Sequence, residues 1–262
     1  MKKQELIKPI IRVGNSSGVV LPKEWLNGKA KVKLIEKPLD IKKDILEILD
    51  PFFESIKGIY LCGSYARQEQ TEKSDVDFLI ITSNVNKRIQ QGIYNAILIS
   101  EQELERQLRE NALPVLQMLK ESKVLLNKQL IEDYRKIPLT NKNIKWHLDT
   151  TKSAMKIVKK KIELYKELEE PIDASAVYSL ILRLRTLYII ECLNKNKKYN
   201  NKDFLKIIKN NVGNLNAYEV YSNVKNNKDS KKTISLKESE ALRKLVLTKL
   251  KKIEKWLRDK KD

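Results

Sequence analysis

One stretch constrains this chain more than any other. Leu61-Cys62-Gly63-Ser64-Tyr65-Ala66-Arg67 is followed, after a polar interval, by Ser74-Asp75-Val76-Asp77-Phe78-Leu79-Ile80. Residues 58–62 and 76–81 are apolar runs of strand length, and the first stops abruptly at Gly63-Ser64. A strand that ends in Gly-Ser and turns into a helix leaves backbone N–H groups free at the helix start, where a phosphate is stabilised. Gly63 permits close approach of the backbone, and Ser64 adds a hydroxyl donor. Asp75 and Asp77 lie two residues apart at a strand start, so their side chains leave the same face of the sheet. Paired carboxylates beside such a turn suit Mg²⁺, a hard cation that takes carboxylate and phosphate oxygens. Two such ions can activate an attacking hydroxyl and steady a pyrophosphate leaving group.

The neighbouring patterns predict an α+β fold: a small mixed β-sheet core, a β-hairpin module before it and an α-helical bundle after it. Within residues 40–137, Asp40 is placed to cap a first helix, and Asp50-Pro51 to start a second with Asp50 as cap. Strands are expected at 58–62, 76–81, 93–99 and 123–126, and Ser100 with Glu103 forms a capping box. Residues 140–262 carry helical spacing over 145–168, 173–193, 201–210, 215–224 and 235–257, with a second capping box at Ser235 and Glu238. Residues 226–234 have the polar composition of an exposed loop. Residues 1–38 read as strands at 10–13, 18–21 and 31–35, with a helical turn from Pro22 to Leu26. So short a segment cannot bury a core alone, and it requires a partner surface. The expected domains are therefore 1–38, 40–137 and 140–262.

Composition sets outer limits. No apolar run approaches the ~18 residues of a membrane span, and Met1-Lys2-Lys3-Gln4-Glu5 has no signal-peptide character, so a cytoplasmic location is expected. Cys62, Cys192 and the single His147 provide neither a disulfide framework nor zinc-ligand spacing. The net charge of +19 divides into +6 over residues 1–39, −2 over 40–139 and +15 over 140–262. Clustered cations suit nucleic acid. The other reading is a solvated lysine surface, because Lys greatly outnumbers Arg and base recognition favours Arg.

Two resemblances rest on these residues. Val13-Gly14-Asn15-Ser16-Ser17-Gly18-Val19-Val20-Leu21-Pro22-Lys23-Glu24-Trp25 resembles the AbrB-like swapped-hairpin modules. That likeness implies a homodimer of interlocked hairpins and DNA binding through residues 1–38; the alternative is a hairpin that only dimerises. The pattern from Gly63 to Arg67, with Ser74-Asp75-Val76-Asp77, resembles the GSxAR…SDxD signature of the minimal nucleotidyltransferases. These form a branch of the polymerase-β-like superfamily that also holds the aminoglycoside nucleotidyltransferases. The resemblance implies Mg²⁺-dependent transfer of an NMP, AMP first of all, from ATP or another NTP to a hydroxyl. It assigns Gly63, Ser64 and Ser74 to the nucleotide, Arg67 to a phosphate or scaffold contact, and Asp75 and Asp77 to the metal.

Two departures stand out. Gln68 replaces the glycine that often follows the Arg of the motif. More consequential, the third carboxylate of active members falls at Asn95, which cannot act as a general base, and no Asp or Glu lies between Asp77 and Glu101. Either two carboxylates suffice, or the site binds nucleotide with little turnover.

The helical segment resembles the bundles that accompany such domains in outline only. It lacks the Arg and His pair of the ribonucleolytic HEPN proteins, which leaves His147 a structural or surface role. Tyr178, Leu182, Arg185, Tyr188, Ile189 and Cys192 share one helix face, read first as core and second as an acceptor-binding wall. Three functions remain: transfer to a protein (as in toxin–antitoxin pairs), RNA or small-molecule acceptor; a nucleotide-sensing, DNA-binding dimeric regulator; and an antibiotic-modifying enzyme. The last is weakest, since cationic aminoglycosides need an acidic cleft.

Overall fold

The computed structural model describes residues 5–35, 39–72, 74–228 and 233–260. It divides into two compact units, Met1–Asp40 and Ile41–Asp262.

In the first unit, β1 (Ile10–Val13) and β2 (Ser16–Val19) pair antiparallel across a turn in which Gly14 takes φ +58°. A 3₁₀ turn, Lys23–Trp25, follows Pro22 as expected. The strand expected over 31–35 does not form. An apolar alternation becomes a strand only where a neighbour accepts its backbone hydrogen bonds, and residues 31–35 have none in this unit. No described residue of this unit is buried, and Ile7, Val32 and Ile35 stand mostly in solvent.

The second unit holds a five-stranded mixed sheet. After α1 (Ile41–Leu49) come β3 (Ile56–Cys62), α2 (Gly63–Arg67), β4 (Val76–Thr82), β5 (Lys87–Gln91) and β6 (Tyr94–Ser100). Then follow α3 (Glu101–Glu110), α4 (Val115–Glu121), β7 (Lys123–Leu126) and α5 (Lys128–Arg135). The strand order is β5-β6-β4-β3-β7. Only β4 and β6 run parallel; the other neighbours are antiparallel.

Strand alternation sorts the apolar side chains onto two faces. Ile59, Leu61, Val76, Phe78 and Ile80 pack with Ile45 and Leu49 of α1. Tyr60, Cys62, Leu79 and Ile81 point the other way, into a core continuous with the helical layer. That layer comprises α6 (Asn141–Glu167), α7 (Ala174–Asn194), α8 (Asn201–Val212), α9 (Asn216–Lys225) and α10 (Leu236–Asp259).

Several local expectations are corrected. Asp50 is not a cap; it begins a 3₁₀ stretch, Asp50–Ser55, with Pro51 in its first turn. The box at Ser100 is half formed: Ser100 accepts from the Glu103 N–H, but the Glu103 carboxylate turns to Arg106 and Gln107. The second box, Ser235 with Glu238, is complete, and Thr140 with Asn143 forms another at the start of α6. β5, polar and at the sheet edge, has no expected counterpart. Of the loop expected over 226–234, residues 229–232 lie outside the described residues.

Candidate functional site

The site forms where β3 ends and the parallel strands β4 and β6 begin. β3 delivers the chain into α2 at Gly63, whose φ of +66° is one that glycine adopts without strain. A Cβ on Gly63 would stand 2.3 Å from the Asp77 Oδ2, so no larger residue fits between the turn and this carboxylate. Asp77 lies beside Cys62 on one side and beside Asn95 on the other, in the parallel β4–β6 pair. Asp77, Asn95 and the Gly63-Ser64 turn thus occupy one small area at one end of the sheet's inner strands. Asp75 precedes β4 on the same approach.

Asp77 is half-buried, and burial raises its carboxyl above the ordinary range. A hydrogen bond with Asn95 opposes that rise, the nearby Asp75 reinforces it, and Lys225 at the end of α9 favours the ionised form. Arg67 favours it least, being hydrogen-bonded to Glu69 and Glu121, so the two carboxylates keep negative charge to offer. That imbalance, with the closely approached glycine, fits a divalent cation held by Asp75 and Asp77 with Asn95 beside them. Among the described residues no group of three His, Cys, Asp or Glu side chains converges to hold a metal.

Arg67 does not face this area freely. Its Nε donates to Glu69 Oε2 and its Nη1 to Glu121 Oε2, both at 2.8 Å. Glu121, at the end of α4 and 5% exposed, uses its other oxygen to accept the Gly63 N–H at 3.2 Å. Glu69 accepts the Asn201 N–H at the start of α8, and the Arg67 guanidinium lies 5.2 Å from the Tyr199 ring. Of the two sequence readings for Arg67, the scaffold contact describes its surroundings: it clamps the turn to the helical layer.

Ser74 is likewise engaged locally, with its Oγ accepting the Thr71 N–H at 2.8 Å. Ser64 stands in the first turn of α2, where N–H groups lack partners within the helix. Gln68, in place of the common glycine, ends α2 with φ +61°. The backbone there keeps the left-handed turn that glycine favours.

Sequence reading did not find Glu121, Glu69, Tyr199, Asn201 or Lys225. Glu121 and Lys225 lie far along the chain from Gly63, and no spacing rule links them. The one signal is a carboxylate closing a helix whose Val115, Leu116, Met118 and Leu119 are apolar. His147 is buried, hydrogen-bonded to the Leu113 backbone, and away from the carboxylates. Tyr178, Leu182, Tyr188 and Ile189 pack against the core, as their first reading had it.

A mixed sheet thus presents paired carboxylates beside a Gly-Ser turn. The chain belongs to the nucleotidyltransferase domain family, whose model matches residues 42–210, more than half of its length. No curated protein shows significant sequence similarity to it. Among solved structures, it is similar to a nucleotidyltransferase-like protein from Exiguobacterium sibiricum 255-15, with 15% identity, 80% of this chain and 73% of that chain covered, and a TM-score of 0.38. It is also similar to spectinomycin adenyltransferase AAD(9) from Enterococcus faecialis, determined with ATP and spectinomycin. There the identity is 13%, the coverage 80% of this chain and 98% of that chain, and the TM-score 0.40. None of the described helices is long and apolar enough to cross a membrane.

Proposed function

We propose that the chain transfers a nucleoside monophosphate, AMP in the first instance, from an NTP to a hydroxyl on a protein, RNA or small-molecule acceptor. The observation that carries this reading is Asp77 set between the Gly63-Ser64 turn and Asn95, with Asp75 adjacent. Asp75 and Asp77 would hold Mg²⁺, which neutralises triphosphate charge when bound. The N–H groups of the Ser64 turn would orient the phosphates, and Glu121 with Arg67 fixes that turn so that orientation costs little on binding. Asn95 hydrogen-bonds to Asp77 and offers no basic group, so deprotonation of the acceptor gains nothing from it. Firm NTP binding with slow transfer is the expected outcome. The test is incubation with each labelled NTP, Mg²⁺ and whole-cell lysate. Label on protein, RNA or a small molecule supports transfer and names the acceptor class, a protein acceptor fitting a toxin–antitoxin role. Absence of label with every NTP, alongside measured NTP binding, contradicts it.

A second reading is a DNA-binding regulator that senses nucleotide through a site of low turnover. It is favoured by Asn95 and by a first unit with no buried side chain among its described residues, which a second copy would cover. Light scattering should then report a homodimer for the full chain, and gel shifts should show promoter DNA bound through residues 1–38. A monomer that shifts no DNA removes this reading.

A further inference from the structure

The α10 helix carries a cationic stripe that the nucleotide site does not use. Lys237, Lys244, Lys251, Lys255 and Arg258 are spaced by 7, 7, 4 and 3 residues. At about 100° per residue these steps place all five on one face, within about 60° of arc. All five are exposed, and their span of 21 residues corresponds to about 32 Å of helix. Among the described residues none of them has a carboxylate within ion-pairing distance, whereas Lys249 on the same helix pairs with Glu191, and Lys152 of α6 pairs with Glu254. Of the helix's own acids only Glu240 lies on the stripe; Glu238 faces Ser235 and Asn214, and Glu254 faces α6. Beside the stripe an open groove between α10 and α6 is lined by Lys244, Lys251, Arg243 and, from α6, Lys159, together with the carboxylates Glu240 and Glu163, of which Glu163 pairs with Lys159.

A surface that merely needed solubility would mix signs along the helix face. Along this face five cations align with one acid, Glu240. We propose that the α10 stripe and its groove bind the sugar-phosphate backbone of a nucleic acid. Four of the five cations are Lys, which meets phosphate as a point charge and does not read base edges bidentately, so the contact is independent of sequence. The length matches about one turn of a duplex, ~34 Å. An anionic membrane is the poorer match: interfacial helices turn an apolar face outward, and α10 buries its own through Leu242, Val246, Leu250 and Ile253. This surface is independent of the proposed transfer reaction.

The experiment is fluorescence anisotropy of the full chain with labelled duplex RNA, duplex DNA and single-stranded RNA of mixed sequence, over a salt series. A vesicle arm with anionic lipid runs beside it. The variant Lys244→Glu, Lys251→Glu, Lys255→Glu changes three exposed side chains and should leave the circular dichroism spectrum and melting curve unchanged. A control, Lys87→Glu, Arg88→Glu, Lys128→Glu, alters the net charge equally at three exposed positions away from α10, on β5 and at the start of α5. The expected result is a log–log salt slope of roughly −4 on duplex, from about five phosphate contacts. In the α10 variant the slope should flatten by roughly 2 to 3, and affinity should fall by at least about 30-fold near 0.1 M salt. The control should lose under about threefold. Equal losses in the two variants would show a general charge effect and overturn the proposal. So would unchanged binding in the α10 variant, or binding to vesicles alone. A preference among the nucleic-acid arms identifies the backbone.

Discussion

Two groups of carboxylates flank Gly63, and they are treated in opposite ways. Glu121 and Glu69 share the Arg67 guanidinium, and their remaining oxygens accept backbone N–H groups from Gly63 and Asn201. Every charge in that cluster has a partner inside the protein. Asp77, beside Asp75, is opposed by the Asn95 hydrogen bond, by the charge of Lys225 and least by Arg67, whose own hydrogen bonds go to Glu69 and Glu121. A carboxylate satisfied internally holds structure, and one left with unmatched charge is available to a ligand. Gly63 joins the two groups, offering its N–H to one and its missing side chain to the other.

The largest expected effect breaks the satisfied group. Glu121→Ala leaves Arg67 buried without its main partner and should lower stability by about 3 kcal/mol or more, read by chemical denaturation. Glu121→Gln keeps an acceptor for Gly63 and should cost about 1 kcal/mol. Equal and small effects of both would mean that the cluster does not hold the turn.

The next prediction sharpens the contrast from the other side. Asn95→Asp places a third negative charge beside Asp77 and removes a hydrogen bond to it. Without metal the variant should be less stable by about 1 kcal/mol, since like charges on adjacent strands repel. Added Mg²⁺ should restore the melting temperature, and transfer should accelerate with little change in nucleotide affinity. A wild-type activity that falls on this substitution would contradict the reading of Asn95.

A pH series separates the groups further. Burial and Asp75 raise the Asp77 carboxyl, so the folded state binds this proton more tightly than the unfolded state. The sign follows: the contribution favours folding below the unfolded carboxylate value of about 4 and is lost as pH rises through the raised value. In metal-free buffer the melting temperature of the native chain should therefore fall relative to Asp77→Asn as pH rises above about 4. Glu121 is also raised by burial and shifts in the same sense, but it is common to both proteins and cancels in the difference.

The smallest effect is at Gln68. Its φ of +61° is one that a side chain other than glycine occupies at a cost, so Gln68→Gly should stabilise the chain by up to about 1 kcal/mol without altering nucleotide binding.

Much of the nucleotide side was legible in the sequence, because strand period and the Gly-Ser and Asp-Val-Asp spacings are local. The pairing of Asn95 with Asp77 follows from two adjacent apolar runs held in parallel register. The satisfied side was not legible. Glu121 and Asn201 reach Gly63 and Glu69 through the packing of α4 and α8, and packing of distant segments leaves no periodic trace. β5 escaped because an edge strand of charged and amide residues lacks an apolar alternation. Residues 31–35 misled for the converse reason: their alternation is strand-like, but no neighbouring strand is present to pair with it.

The central claim is that Asp75 and Asp77 form the metal–nucleotide site while Glu121 and Arg67 only position it. Calorimetric titration of MgATP into the native chain and Asp77→Asn tests this most directly. Native binding that is lost by at least about 100-fold in Asp77→Asn, with a melting temperature unchanged or slightly higher at neutral pH, is the predicted result. Unchanged MgATP affinity in that folded variant would contradict the assignment.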